Sequence, residues 1–435
     1  MDPVASLLTG PDAGEILRAA LAPTGGKLLS WHPEQVDYQP GRGSTAGYRV
    51  RVRWPDRRVT SERLAARTGE PPAGSLVVGD GQHQVAVWRF PHDPYLPGLA
   101  AAFDPAAVAK LLASFRLGEG RVRLAVRAYR PGRRAVVEAI GPAGRLFLKV
   151  VRPTRVESLH RRHRLCTAAG VPVPPSLGHT EDGVLVLQAL PGRTMRDALR
   201  SGTAAMPSPV DILALLDRLP PELAEAPPRP SWSARAGHYA EVIAGILPEH
   251  AAPARRLAAA ITAGAGAGPV APVHGDFYEN QLQVTRGRIT GLLDLDTAGA
   301  GERLDDLACL LGHLSVLAQI DRPRAATINR LGSRYLAAFK SVVDPTALRL
   351  RTAAVVLSLA TGPHRVQESG WKATTQRRLR LAQQWAETAT SSGEPDMSGL
   401  SPGPQDPLIP PDDDGISRAG HPVPGQTTER TGSWV

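Results

Sequence analysis

Three short runs, Arg123–Arg130, Ala135–Ile140 and Arg145–Val151, are separated only by turn residues, Pro131-Gly132 and Gly141-Pro142-Ala143-Gly144. Strands joined so tightly pair as an antiparallel meander. A basic helix over about Arg155–Ala169 follows, stops at Gly170, and leads into Val171-Pro172-Val173-Pro174-Pro175, as expected after a helix C-cap. Gly183–Ala189 is a further apolar strand, broken by Pro191-Gly192, and Thr194 caps a helix through Leu199. From about Pro209 the pattern is mainly helical and alanine-rich, with loops at Pro220–Pro230 and Ala263–Gly268. Helices are expected over Asp306–Ala318, whose Leu307, Leu310, Leu311 and Leu314 form an apolar stripe, and over Ala347–Leu359 and Lys372–Ala389.

Upstream of the meander, residues 1–97 read as a separate α+β unit. A helix near Ala13–Leu21 precedes Tyr48–Trp54, which alternates without error: Tyr48, Val50, Val52 and Trp54 inward, three arginines outward. Ser75–Gly79 and His83–Phe90 flank Asp80-Gly81, a pair that tolerates positive φ and signals a hairpin. Pro91 to Gly98 is a rigid connection, and Asp104-Pro105 starts a helix that runs to about Ala113. Beyond Ser391, proline, glycine, serine and aspartate predominate, a composition that cannot bury enough apolar surface to order itself.

A chain of 435 residues with two cysteines far apart needs no disulfide framework. Met1 to Gly10 lacks a signal peptide's basic head and apolar core, and no run approaches the roughly 18 apolar residues of a membrane span. A cytoplasmic protein without membrane contact is expected. The net charge of +10 would suit a polyanion, but no helix-turn-helix, zinc spacing or aromatic RNA-binding motif supports a nucleic-acid partner. A solvated basic surface is the simpler reading.

The chemistry concentrates between His274 and Asp306. His274-Gly275-Asp276-Phe277-Tyr278-Glu279-Asn280-Gln281 precedes Leu292-Leu293-Asp294-Leu295-Asp296 and then Leu304-Asp305-Asp306-Leu307-Ala308. One aspartate sits behind His-Gly just before amide side chains; a second lies in an apolar run, where a carboxylate is costly unless paired or metal-bound. Such a pair suits phosphoryl transfer: one carboxylate accepts the proton of the attacking hydroxyl, and the other holds magnesium on the nucleotide phosphates.

With three strands, a helix, a strand and a helical half carrying these aspartates, the chain resembles the aminoglycoside phosphotransferase-like family over about Arg121 to Glu387. It is similar to the maltokinase-like branch, whose catalytic segment reads H-G-D-F with a glutamine and whose kinase lobes follow an extra N-terminal domain. The resemblance implies an α+β, bilobal protein-kinase-like fold: a small antiparallel-sheet lobe, a mainly helical lobe and an N-terminal α+β cap. Expected boundaries are 1–97 for the cap, 98–120 for a linker with its helix, 121–190 and 191–390 for the two lobes, and 391–435 for a disordered tail.

It implies ATP and Mg2+ as cofactors, a small-molecule hydroxyl acceptor and these site residues. Asp276 is the catalytic base, and His274 supports its loop. Asp294 is the main magnesium ligand, Gln281 by register or else Asn280 the second, and Asp296 a further candidate. Lys149, in the third meander strand, contacts the α- and β-phosphates. Gln188 to Leu190 form the hinge against adenine. Where the family carries its glycine-rich loop this chain has Tyr129-Arg130-Pro131-Gly132-Arg133-Arg134, whose Arg133 is either a bidentate phosphate donor or part of a solvated turn. Asp306 caps a helix and braces the catalytic loop. Glu157 is the one acid in the basic helix, and its offset departs from the family's glutamate that pairs with the lysine. For the acceptor, Tyr278 and Trp232 are candidate sugar contacts, and Glu279, Glu302 and Asp305 are the nearest acids. The missing glycine loop and shifted amide suit an alternative, a nucleotide-binding module without turnover. Lys149, Asp276 and Asp294 favour the enzyme.

Overall fold

Alternation sets the architecture. The computed structural model of the chain describes residues 7–41, 43–79, 84–200, 206–225 and 227–390. Two five-stranded antiparallel sheets follow one another, and a helical half completes the fold. The first sheet comprises β1 (Lys27–Asp37), β2 (Thr45–Arg53), β3 (Val59–Thr68), β4 (Leu76–Gly79) and β5 (Gln84–Arg89), in the order β1-β2-β3-β5-β4. Tyr48, Val50 and Val52 of β2 point into a core shared with Leu17 and Leu21 of the helix Asp12–Leu21. Trp54 is only half-buried and lies just past the strand end. β4 and β5 pair as expected, while the Asp80-Gly81 turn lies outside the described residues. So does the tail from Ser391.

The second sheet comprises β6 (Arg123–Arg130), β7 (Arg134–Gly141), β8 (Gly144–Val151), β9 (Ser176–His179) and β10 (Val184–Gln188), in the order β6-β7-β8-β10-β9. Period-two alternation sorts β8 between two cores. Leu146, Leu148 and Val150 pack with Val108 and Leu112 of the helix Pro105–Ser114, which Asp104 caps by accepting the Ala106 N–H at 2.8 Å. Phe147, Lys149 and Val151 face the helical half. The segment joining the two sheets is pinned by buried Asp93, which accepts from the Tyr129 hydroxyl at 2.9 Å and the Gly132 N–H at 2.7 Å.

In the helical half, Arg303–Ile320 runs through the centre, packed by Ala325–Phe339, Pro345–Ala360 and the region of Trp371–Thr390. The expected apolar stripe is only part of it. The helix is buried on every side, and Asp305, Asp306 and His313 are buried with the leucines. The half also holds strand pairs that periodicity did not signal: β11 (Arg193–Thr194), β13 (Leu282–Thr285) and β14 (Arg288–Leu292) form one small sheet, and β12 (Val270–Val273) pairs with β15 (Gly299–Glu302). The expected loop at Pro220–Pro230 contains a 3-10 turn, Pro221–Glu225, and the helix Ala251–Gly264 runs into the glycine-rich segment. Among the described residues, no helix is long and apolar enough to cross a membrane.

Candidate active site

β12 ends at Val273, and the loop that follows from His274 is tied down at each residue. The Asp306 carboxylate accepts the N–H groups of His274 and Gly275, each at 2.7 Å. Asp306 does not cap its helix: the N-cap position is Glu302, and Asp306 lies one turn inside. His274 is fully buried. Its Nδ1 accepts from the Asp276 N–H at 3.4 Å, so Nε2 carries the proton and donates to Leu293 O at 2.7 Å. Burial lowers its pKa. Gly275 adopts φ +79°, and a Cβ there would sit 2.7 Å from the Thr297 carbonyl oxygen.

The next side chain is Asp276, which opens onto a cavity of about 560 Å³. Burial, and then the charge of Asp294, push its carboxyl up to about 7 against the pull of Arg134, Arg130 and Arg365. The Asp276 carboxylate, the Cys309 thiol and the His313 ring lie within 4.8 Å of one another.

β14 ends just before Leu293 and Asp294. Asp294 takes a left-handed backbone, φ +59°, which costs a non-glycine residue about 1–2 kcal/mol. The distortion turns its carboxylate toward β7 and β8. Lys149 Nζ donates to Asp294 Oδ1 at 2.7 Å and ion-pairs with Asp296 at 2.5 Å. Arg134 Nη1 donates to Asp294 at 2.9 Å and to Asp296 at 2.6 Å. Burial opposes ionisation of Asp294, but Lys149 and Arg134 overcome it and hold that carboxyl well below the usual range. Behind this turn the basic helix Pro153–Ala168 supplies Arg162 and Arg155, which donate to the Asp296 carbonyl at 2.9 and 3.2 Å.

The sequence-derived candidates separate into groups. Lys149, Asp294 and Asp296 converge in one cluster, with Asp276 close enough to feel its charge. Glu157 is exposed, so Lys149 pairs with aspartates and not with that glutamate. Gln281 and Asn280 are both buried; the Gln281 backbone is pinned by its N–H to Tyr278 O at 2.9 Å and by its carbonyl to the Leu293 N–H at 2.8 Å. At the hinge, the Gln188 and Ala189 N–H groups are taken by Pro175 O and Arg145 O, at 3.0 and 3.3 Å, and Leu190 is half-buried. Arg133 is exposed and pairs with Asp37 of β1 at 2.7 Å. It is Arg134 that reaches the carboxylates.

Arg134 had a signal that sequence reasoning did not use. Val136 sits opposite Lys149, so alternation places Arg134 on the same sheet face.

The expected acceptor contacts are mostly elsewhere. Tyr278 is buried and stacked on His313 at 4.0 Å, and Glu279 is buried against Arg196. Glu302 and Asp305 are held by buried Arg351 at 2.6 and 3.1 Å. Trp232 and Asp305 do line the cavity, together with Tyr239 and several arginines that no motif singled out.

The profile of the phosphotransferase enzyme family, APH, matches residues 125–342, half of the chain. The chain belongs to this family. The phosphotransferase is thus a small-molecule kinase in its class of activity, and its two-lobed architecture, with an antiparallel sheet beside a helical half, is the protein-kinase-like one. No curated protein sequence matches it. Solved structures with similar folds include a macrolide 2'-phosphotransferase from Brachybacterium faecium (20% identity, 63% of this chain and 97% of that one, TM-score 0.40). A choline kinase from Cryptosporidium parvum is another (9% identity, 66% and 96%, TM-score 0.44). A third is a thermostable aminoglycoside phosphotransferase in ternary complex with ADP and hygromycin B (14% identity, 66% and 100%, TM-score 0.44).

Proposed function

We propose that the phosphotransferase moves the γ-phosphoryl group of ATP, with magnesium, to a hydroxyl group of a small molecule, and that Asp276 is the base. One observation carries this reading: the Asp276 carboxyl opens onto the cavity with its pKa pushed up to about 7, beside the Lys149–Arg134–Asp294–Asp296 cluster. A base poised near the working pH takes up a proton most effectively.

The cluster also fits a divalent cation. Asp294 and Asp296 already converge on shared cationic nitrogens of Lys149 and Arg134, and an all-oxygen carboxylate set suits a hard ion. Asp294 and Asp296 would hold magnesium, with Gln281 or Asn280 as the amide partner. The bound ion supplies charge neutralisation on the phosphates.

The protein's own groups do the rest. Lys149 pairs with the α- and β-phosphates, and Arg134 and Arg133 close over the γ-phosphate from the β6–β7 turn. The hinge from Gln188 to Leu190 lies against adenine, with the Leu190 backbone as its donor. The acceptor hydroxyl, held in the cavity, donates to the Asp276 carboxylate. As its oxygen bonds to the γ-phosphorus, the bond from that phosphorus to the bridging oxygen breaks, ADP leaves with the electron pair, and the proton passes to Asp276. His274 and Asp306 fix the loop so that this carboxylate does not drift.

The test is ATP turnover with magnesium across hydroxyl acceptors, comparing wild type with Asp276→Asn. Loss of at least 100-fold in kcat is expected, from the magnitude typical of a general base. Undiminished turnover in the variant would remove Asp276 from that role.

A further inference from the structure

The cavity beside Asp276 carries an excess of positive charge that the reaction as described above does not use. Arg130, Arg229, Arg235 and Arg365 all line it. Among the described residues none of the four forms an ion pair. The carboxylates around the same cavity are Asp37, Asp276 and Asp305. Asp37 pairs with Arg133 and also acts on Arg130 and Arg365, and Asp305 pairs with Arg351, so the cavity's arginines outnumber the carboxylates that face them.

The arginines are also crowded. Burial and then the charges of Arg365, Arg134 and Arg133 depress the Arg130 guanidinium to about 10. Burial and the neighbouring Arg155 and Arg235 lower that of Arg229. Arg130, Arg235 and Arg365 are half-buried and Arg229 is exposed at the rim; like charges clustered this way, without an ion pair to any of them, imply an anionic partner from outside.

Their positions indicate which substrate they serve. Lys149, Asp294, Gln188 and Leu190 do not line this cavity, and of the residues assigned above to nucleotide and metal Arg133 alone does; Gly275, Asp276 and Thr297 line it as well. It therefore lies on the acceptor side of the base. Arg235 stands over the Trp232 ring at 4.4 Å, with Trp232 and Tyr239 roughly parallel, 6.4 Å apart. Its flat face is occupied by the indole, and its buried Nε has no hydrogen-bond partner.

We infer that the acceptor is an anionic hydroxyl compound, a carboxylate or phosphate ester whose charged group is held by Arg235, Arg365 and Arg229, with its hydroxyl at Asp276. This rests on the reading of Asp276 as the base. It disfavours cationic acceptors, which would meet an excess of guanidinium groups. The charge-assisted fork of an arginine suits both carboxylate and phosphate.

The experiment separates ligand class from reaction. The full chain is titrated, without nucleotide, with glucose 6-phosphate, glucuronate, glucose and kanamycin, reading the thermal shift. Turnover of the same four is then measured with ATP and magnesium. Binding and turnover of one or both anionic sugars, and neither with glucose nor kanamycin, is expected; comparing the two anions tells phosphate from carboxylate. Arg235→Met and Arg365→Met should each raise KM for that acceptor about tenfold or more, as loss of a charged hydrogen bond does, with KM for ATP unchanged. A rise in KM for ATP instead would reassign the arginines to the nucleotide and overturn the inference. Turnover of glucose or kanamycin without the anionic sugars would also overturn it, while leaving Asp276 as the base. Anion binding without turnover of any acceptor would uphold the ligand class and sink the phosphotransfer reading. Neither binding nor turnover of the anionic sugars would overturn the inference outright.

Discussion

Gly275→Ala isolates what the catalytic loop requires of its backbone. At φ +79° an alanine pays the left-handed penalty, and its Cβ would lie 2.7 Å from Thr297 O. The first cost is about 1–2 kcal/mol. The contact cannot be relieved by rotating a side chain, because the obstacle is a backbone carbonyl, and the His274 carbonyl beside it is itself bonded to the Thr297 hydroxyl at 2.9 Å. Either the loop or the 295–297 turn must move. Overpacking of this kind adds about 1–3 kcal/mol, for a total of about 2–5. Gly144, the first residue of β8, is the control: φ is +81°, and nothing lies within 4 Å of a Cβ there. Gly144→Ala therefore carries the backbone term alone. Urea denaturation should find Gly275→Ala less stable than Gly144→Ala by about 1–3 kcal/mol. With Asp276 as the proposed base, the catalytic consequence is larger, since a displacement of about 1 Å can cost 100-fold in rate. Gly144→Ala should keep wild-type kcat, and Gly275→Ala should lose 10- to 100-fold. If the two alanines have equal stability and equal kcat, the loop tolerates the shift, and the account of how Asp276 is positioned is wrong.

Three further outcomes follow from the same geometry. The unfolded Asp276 carboxyl titrates near 4 and the folded one at about 7, so between those values only the folded chain keeps the proton. The contribution of Asp276 to stability is full below 4 and is lost as pH rises through 7. Asp276→Asn should therefore be more stable than wild type at pH 8, by no more than about 4 kcal/mol, and in wild type kcat/KM should rise with pH to a plateau above about 7. Lys149→Met leaves Asp294 and Asp296 sharing Arg134 alone; a loss of about 3–5 kcal/mol in denaturant and at least tenfold weaker ATP binding in a nucleotide titration are expected. EDTA should abolish turnover, and magnesium should restore it in wild type but not in Asp294→Asn; turnover that persists in EDTA would refute the metal assignment.

The elements legible in the sequence were those whose own residues decide them. The β6–β8 meander announces itself because each connection carries proline and glycine between alternating runs. β3 went unread because half of it, Val59 to Arg63, is exposed or half-buried and carries Thr60, Ser61, Glu62 and Arg63, so no apolar period forms. β9 and the strands around the catalytic loop are four or five residues long, and β12 contains Pro272; each exists because a partner strand holds it. The central helix hid its full burial for a related reason. Asp305 and Asp306 look like a solvated face until Arg351 and two loop N–H groups are brought against them.

The same distinction runs through the site. Asp276 and Asp294 are readable because a loop and a strand end fix them near each other along 18 residues of chain, and Arg134 was within reach of the alternation that placed Lys149. The cavity beside Asp276, proposed above for the acceptor, has no such local record. Its arginines come from the β6–β7 turn, from the stretch around Trp232 and from the short helix Gly362–Arg365, and β1 closes the wall with Val36 to Gln39. None of these segments constrains another in sequence; only the fold makes their charges neighbours. Phosphoryl transfer needs a base, a cation and a metal site at fixed separations, which a motif can encode. Acceptor choice needs a charge balance summed over a surface. A chain can keep the first while the second is rewritten by single arginines in unrelated segments, and those substitutions would leave every catalytic motif intact.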